Sequence, residues 1–137
     1  MSFQILERDS QDVTVLDLSG RLVAGESSAG LREKLAALAT AGKTRVVLNM
    51  AGVDYIDSSG LGTLVMCHTT LNRLGGGLRL AHLTTRSLEL LVLTKLTTVF
   101  ELFDDESNAV NSFFPGREIK RFDILSFVES QKAKRQV

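Results

Sequence analysis

The sequence predicts a single α/β domain in which helices cover a mixed sheet. Three observations carry this expectation. Short apolar runs alternate with stretches whose apolar residues recur at helical spacing, the order expected of strand–helix–strand units. The first two runs are separated only by the polar turn Asp9-Ser10-Gln11-Asp12, which makes them an antiparallel hairpin on an otherwise parallel sheet. The third is size: 137 residues suit one domain and can bury a core without disulfides.

The elements follow in order. Residues 3–7 and 13–18 are the hairpin strands. Ser27-Ser28 offers a helix cap, Leu31, Leu35 and Leu38 share one face, and Arg32, Glu33 and Lys34 lie opposite. Gly42 ends that helix, because glycine accepts the left-handed conformation without steric cost. Residues 45–49 are an apolar strand, a helix spans about residues 59–74 to Gly75-Gly76-Gly77, and residues 78–81 are a short strand. Thr84 or Thr85 caps a helix with Leu88, Leu91 and Val92 inward, running to about Leu96, and residues 99–103 are the last strand. Asp104-Asp105-Glu106 opens a helix carrying Ala109, Val110, Phe113 and Phe114, its acids suited to the positive end of the dipole. Pro115-Gly116 marks a boundary. Residues 1–114 read as the domain and residues 115–137 as a C-terminal extension, packed on the domain or on a partner. Within it Phe122, Leu125 and Val128 form one stripe of a short helix, with Ile124 and Phe127 beside it. Each strand–helix–strand crossover is expected to be right-handed.

Composition narrows the function classes. Formal net charge is zero, so nothing global points to nucleic acid. The single cysteine, Cys67, forms no internal disulfide, which suits a reducing compartment. The N-terminus meets Glu7 before any long apolar run, so no signal peptide is read there. No apolar stretch approaches the roughly 20 residues of a spanning helix. A cytoplasmic protein without membrane insertion is expected.

The stretch Tyr55-Ile56-Asp57-Ser58-Ser59-Gly60-Leu61-Gly62-Thr63-Leu64-Val65 stands apart. It follows a buried-strand run and opens a segment in which Leu61, Leu64, Val65, His68 and Leu71 recur at helical spacing. Two serines therefore sit just past a core strand, at or beside a helix's first turn, a usual place for function in open α/β sheets. Free N–H groups and the positive end of the dipole favour an anion there.

Enzyme signatures fail at this stretch and elsewhere. Ala41-Gly42-Lys43-Thr44 imitates the end of a phosphate-binding loop, but that motif needs glycine where Ala37 stands, and the triplet ends a helix instead of opening one. A nucleophile elbow needs Gly-x-Ser-x-Gly; Ser58 has Ile56 before it, and Ser59 is flanked by Asp57 and Leu61. His68 lies about ten residues, roughly 15 Å, along the helix from Ser58, too far to serve as its base. Cys67, His68 and His82 lack zinc-ligand spacing, so no metal is expected, and Cys67 reads as a small apolar filler. Two readings of the serine stretch stay open. Asp57, Ser58 or Ser59 caps the helix and nothing more, or the loop presents hydroxyls to a partner whose backbone approaches Gly60 and Gly62 closely. A phosphate on Ser58 adds about −1.5 to −2 of charge. The helix end attracts it and Asp57 repels it, which alters any docking surface over the loop without unfolding the domain.

Val46-Val47-Leu48-Asn49-Met50 followed by Asp57-Ser58-Ser59-Gly60-Leu61-Gly62 resembles the STAS domain of bacterial anti-sigma factor antagonists. The resemblance spans roughly residues 3–114 and includes Leu18-Ser19-Gly20-Arg21-Leu22 and Val99-Phe100-Glu101-Leu102-Phe103-Asp104. It implies a mixed sheet with helices largely on one face. It also implies partner switching. The unphosphorylated antagonist binds an anti-sigma factor that is itself a serine kinase, which frees the sigma factor for transcription; phosphorylation of the serine matching Ser58 abolishes binding, and a phosphatase resets it. On that pattern ATP belongs to the partner, this chain needs no cofactor and is no enzyme, and Asp57, Ser58, Ser59, Gly60, Leu61 and Gly62 form the partner-binding loop. A second copy of the chain is a further candidate partner. The alternative is a non-switching scaffold, in a stress-signalling complex or as an accessory subunit of a lipid transporter. Two departures mark this chain. Where many antagonists carry Gly-Glu-Leu-Asp it has Gly20-Arg21-Leu22-Val23, which implies a different or compensating partner, and residues 117–137 extend past the usual end of the domain.

Overall fold

The computed structural model describes residues 3–135, without the side chain of Arg135. Along the chain lie β1 (Gln4–Ser10), β2 (Val13–Leu22), α1 (Glu26–Thr40), β3 (Arg45–Ile56), α2 (Ser58–Arg73), β4 (Gly77–Ala81), α3 (Thr85–Leu93), β5 (Glu101–Phe103), α4 (Glu106–Asn111) and α5 (Ile124–Arg135). The strands form one five-stranded sheet in sequence order. β1 pairs antiparallel with β2, and every later pair is parallel. Consecutive order with one hand of crossover sends each connecting helix to the same face.

That face carries the main core. Leu31, Leu35 and Leu38 of α1, Leu61, Leu64, Cys67 and Leu71 of α2, and Leu88 and Leu91 of α3 meet Leu16, Val46, Leu48 and Leu80 of the sheet. The opposite face holds α4, whose Ala109 and Val110 cover Val13, Val15, Val47, Ala81 and Phe103. The fold is thus a mixed α/β sheet with helices largely on one face. Coverage of both faces explains why Val46-Val47-Leu48 is apolar without alternation.

Chain beyond α4 closes the β5 edge. Phe122 N–H donates to the Leu102 carbonyl at 3.0 Å, Arg121 pairs with Glu101 at 3.1 Å, and Phe122, Ile124 and Phe127 pack against the main core. Asp123 caps α5 by accepting from Ser126 N–H at 3.0 Å. Met1, Ser2, Gln136 and Val137, the outer ends of the two segments expected from the sequence, lie outside the described residues.

Several boundaries differ from expectation. β3 does not stop at Asn49 but continues to Ile56, past Gly52, where a Cβ would come within 2.8 Å of the Leu18 carbonyl oxygen. β2 likewise passes Gly20, whose φ of 101° accompanies a register shift. Ser27 and Ser28 do not cap α1. Gly25 takes the cap position, and both hydroxyls donate back to the Val23 carbonyl, at 2.9 and 2.7 Å. α3 ends at Leu93, before Leu96, and Thr84 is its cap. Phe113 and Phe114 fall past the end of α4, each 4.1 Å beneath a guanidinium, from Arg79 and Arg117. The expected Phe122–Leu125–Val128 stripe is rotated: Leu125 is 74% exposed, because the Phe122 tether to β5 sets which side of α5 turns inward.

Phe127→Ala is therefore expected to cost roughly 1–2 kcal/mol, less than loss of a fully buried phenylalanine, read as a lower urea midpoint. Leu125→Ala should leave the midpoint unchanged.

Candidate functional site

β3 carries the chain to the C-terminal end of the parallel strands, and α2 begins at once. Asp57 is its cap. The Asp57 Oδ1 accepts from Gly60 N–H at 2.8 Å, Oδ2 accepts from Ala24 N–H at 3.0 Å, and the Asp57 N–H donates to the Leu22 carbonyl at 3.2 Å. One carboxylate thereby ties the first turn of α2 to the β2–α1 connection. The Gly60 and Ala24 N–H groups, with lesser help from Ser59 N–H and Arg21, hold this carboxyl below the usual carboxylate range. Gly60 has no room for a side chain: a Cβ would sit 2.2 Å from the Leu22 carbonyl oxygen. Leu61 beside it is buried in the main core.

The six residues of the expected loop therefore divide by role. Asp57, Gly60 and Leu61 build the junction, while Ser58, Ser59 and Gly62 face solvent. Among the described residues neither serine hydroxyl has a hydrogen-bond partner. The Ser59 carbonyl accepts from Thr63 Oγ1 at 3.0 Å, and Arg32 of α1 donates to the same Oγ1 at 3.4 Å, bracing the turn. A Cβ at Gly62 would find nothing within 4 Å, and Met66, one turn on, is 45% exposed. Ser58, Gly62 and Met66 thus follow one another at i, i+4 spacing down the outer face of α2.

A second feature lies at the rim. Arg21 of β2 is opposite Tyr55 of β3 in register, with its guanidinium 5.0 Å from the ring centre. Arg86, in the first turn of α3, stands 5.9 Å from the same ring. Beside them runs an open groove of about 910 Å³, lined among others by Phe3, Ile5, Val23 and Asp57. Sequence reasoning named Arg21 as a departure from the family and Tyr55 as the start of the serine stretch but did not connect them, nor name Arg86, since only the parallel β2–β3 register and the placement of α3 bring the three together.

The remaining candidates lie elsewhere. His68 packs edge-on against Phe100, with centroids 5.6 Å apart, and its Nε2 is 3.2 Å from Asn72 Nδ2. Burial pushes its pKa down. The Cys67 thiol is buried and pushed up to about 11, so it is not a thiolate at neutral pH. Among the described residues no three His, Cys, Asp or Glu side chains are grouped to hold a metal ion, and no helix is long and apolar enough to cross a membrane.

A family model for the STAS domain matches residues 4–109. The chain belongs to the STAS domain family. This STAS domain is similar to the anti-sigma-B factor antagonist of Bacillus subtilis, 36% identical over 85 residues, covering 58% of this chain and 76% of that protein. Among solved structures it resembles an anti-sigma factor antagonist from Mycobacterium paratuberculosis, with a TM-score of 0.70 and 21% identity over 82% of this chain and 94% of that one. It also resembles the Bacillus cell fate determinant SpoIIAA in its phosphorylated form, with a TM-score of 0.63 and 20% identity over 81% and 98% of the two chains. At these identities the structural likeness establishes the fold.

Two outcomes follow from the junction. Gly60→Ala should destabilise the STAS domain by about 2–3 kcal/mol, because the new methyl meets backbone, measured by urea unfolding. Asp57→Asn keeps one acceptor oxygen and loses the charge. Since the Asp57 pKa is depressed in the folded state, its contribution is present above the ordinary carboxylate pKa and lost as pH falls through the folded value. The stability gap between wild type and Asp57→Asn should be wide at neutral pH and narrow steadily in acid.

Proposed function

We propose that this STAS domain is a cytoplasmic anti-sigma factor antagonist whose Ser58 hydroxyl is the switch. The observation that carries the reading is the placement of Ser58: exposed, without an intramolecular partner among the described residues, on a first turn fixed by Asp57 and Gly60. Support comes from the family membership, from the antagonist named among its relatives, and from the phosphorylated form in which SpoIIAA was solved.

With a free hydroxyl, Ser58, Ser59, Gly62 and Met66 offer a nearly flat strip for a protein partner, the anti-sigma factor, which is also the serine kinase. Gly62 keeps the strip low enough for backbone to approach, and Met66 supplies adaptable apolar contact. Asp57, Gly60 and Leu61 position the strip and lie beneath it. Phosphorylation adds about −1.5 to −2 of charge at that surface. The ionised Asp57 next to it opposes the phosphate, and a docked partner would have to strip water from both groups. The partner therefore leaves while the domain stays folded, and a phosphatase restores the hydroxyl. ATP belongs to the kinase, and no catalytic role falls to this chain.

Incubation with ATP and each candidate anti-sigma kinase, followed by intact-mass analysis and site mapping, should give one phosphate on Ser58 and loss of the complex. Ser58→Ala should bind and resist release, and Ser58→Asp should bind at least about tenfold more weakly, the scale of a charge buried without a partner. Stable binding with no phosphate would favour the scaffold alternative. Equal binding by wild type and both variants would remove Ser58 from the interface.

A further inference from the structure

Among the described residues five guanidinium groups stand over rings, and two of them also donate hydrogen bonds. Arg117 over Phe114 donates to Gln11 and Asn111, at 2.8 and 2.9 Å. Arg79 over Phe113 donates to Ser112 at 2.8 Å. Arg45 shares the Phe114 ring at 5.3 Å without such a bond, and at Tyr55 both cations lack one. Arg21 and Arg86 approach one half-exposed ring from β2 and α3, and among the described residues neither has a salt bridge or a side-chain hydrogen bond. Two like charges drawn to one ring repel each other, and an anion between them relieves that repulsion while the ring continues to hold both cations.

The nearby carboxylates do not fill this role. Asp57 spends both oxygens on the N–H groups of Gly60 and Ala24. Glu26 lines the groove, and Asp54 is exposed just before Tyr55, yet neither pairs with Arg21 or Arg86 among the described residues. The groove beside the cations is lined by Phe3, Ile5 and Val23 together with Arg21 and Tyr55. We infer that Arg21, Tyr55 and Arg86 form a clamp for a carboxylate, so that the protein partner of this domain presents an acidic segment with apolar residues next to it. The inference rests on the partner-binding reading above and names the partner's chemistry at the docking surface. Arg21 and Arg86 grip the acid in the planar, multi-donor manner of guanidinium groups, Tyr55 holds both in place, and the apolar neighbours settle over Phe3, Ile5 and Val23.

The test uses the isotope-labelled full chain, unphosphorylated, titrated with three blocked hexapeptides, alternating Glu-Leu, Lys-Leu and Ser-Leu, and followed by backbone amide shifts. The Glu-Leu peptide should bind best and move the amides of Ile5, Arg21, Val23, Tyr55 and Arg86, with affinity falling as salt rises. Arg21→Glu, a change at an exposed side chain, should weaken that peptide about fivefold, and the double variant Arg21→Glu/Arg86→Glu should make Lys-Leu the preferred ligand. Equal shifts with all three peptides, shifts confined to other surfaces, or indifference to Arg21→Glu in a variant whose remaining spectrum is unchanged would each overturn the clamp. No kinase enters this experiment. A clamp that binds Glu-Leu peptide while Ser58 resists every candidate kinase would therefore support the inference and remove the switch.

Discussion

The approach of Gly60 to the Leu22 carbonyl and the grip of Asp57 on Ala24 are one constraint seen from two sides. β2 and β3 both end at this level, and α2 can begin here only if its first turn lies directly against the end of β2. A Cβ at Gly60 would stand 2.2 Å from that carbonyl oxygen, so glycine is required by packing. The Asp57 carboxylate then finds two N–H donors, one in its own helix and one in the connection to α1. Because the inward positions of the turn are taken by Gly60 and Leu61, Ser58, Ser59 and Gly62 are left outside. The exposure of the serines is a consequence of how tightly the turn is packed underneath.

The rest of the sheet is arranged so that this end stays in place. Three helices on one face bury their leucines against β2, β3 and β4, while the other face relies on the six-residue α4. So short a helix needs orientation from outside itself. Arg8 supplies it, 2.6 Å from both Asp17 and Glu106, while Asn49 donates to Asp17 at 2.8 Å. The Arg8 guanidinium holds the Asp17 carboxyl below its ordinary range, with Asn49 adding to the effect. These side chains are partly exposed to solvent, so their energy is modest and their effect is geometric: β1, β2, β3 and α4 are joined at one point. At the far side, residues after Pro115 bond to β5 and put Phe122, Ile124 and Phe127 on the core, which covers an edge that would otherwise offer unpaired N–H and C=O groups.

Much of this was legible in residues close together in sequence. The alternation of apolar runs and helical periodicity located the five strands and the first four helices, and the block Asp57–Gly62 with the strand before it pointed to the family. Failures came where a local signal was outweighed. Ser27-Ser28 looks like a cap, yet the chain turns two residues earlier at Gly25, whose φ of 99° a serine would adopt poorly. The third strand is expected to end at Asn49, yet β2 lies close enough to carry pairing on to Ile56. Leu125 looks like core, yet the Phe122 bond to Leu102 rotates α5 and turns Leu125 outward. In the last two cases a contact distant in sequence decided between local options of similar energy.

The sequence by itself determined the fold class, the family and the position of the serine-bearing turn, because these depend on hydrophobic period, cap chemistry and glycine placement within a few neighbouring residues. Only the tertiary structure decided which of the six loop residues face solvent, and that Arg21 and Arg86 share the ring of Tyr55. The reason is physical. Solvent exposure and the meeting of like charges depend on which distant backbones pack together, and no periodicity along one strand or one helix records that choice.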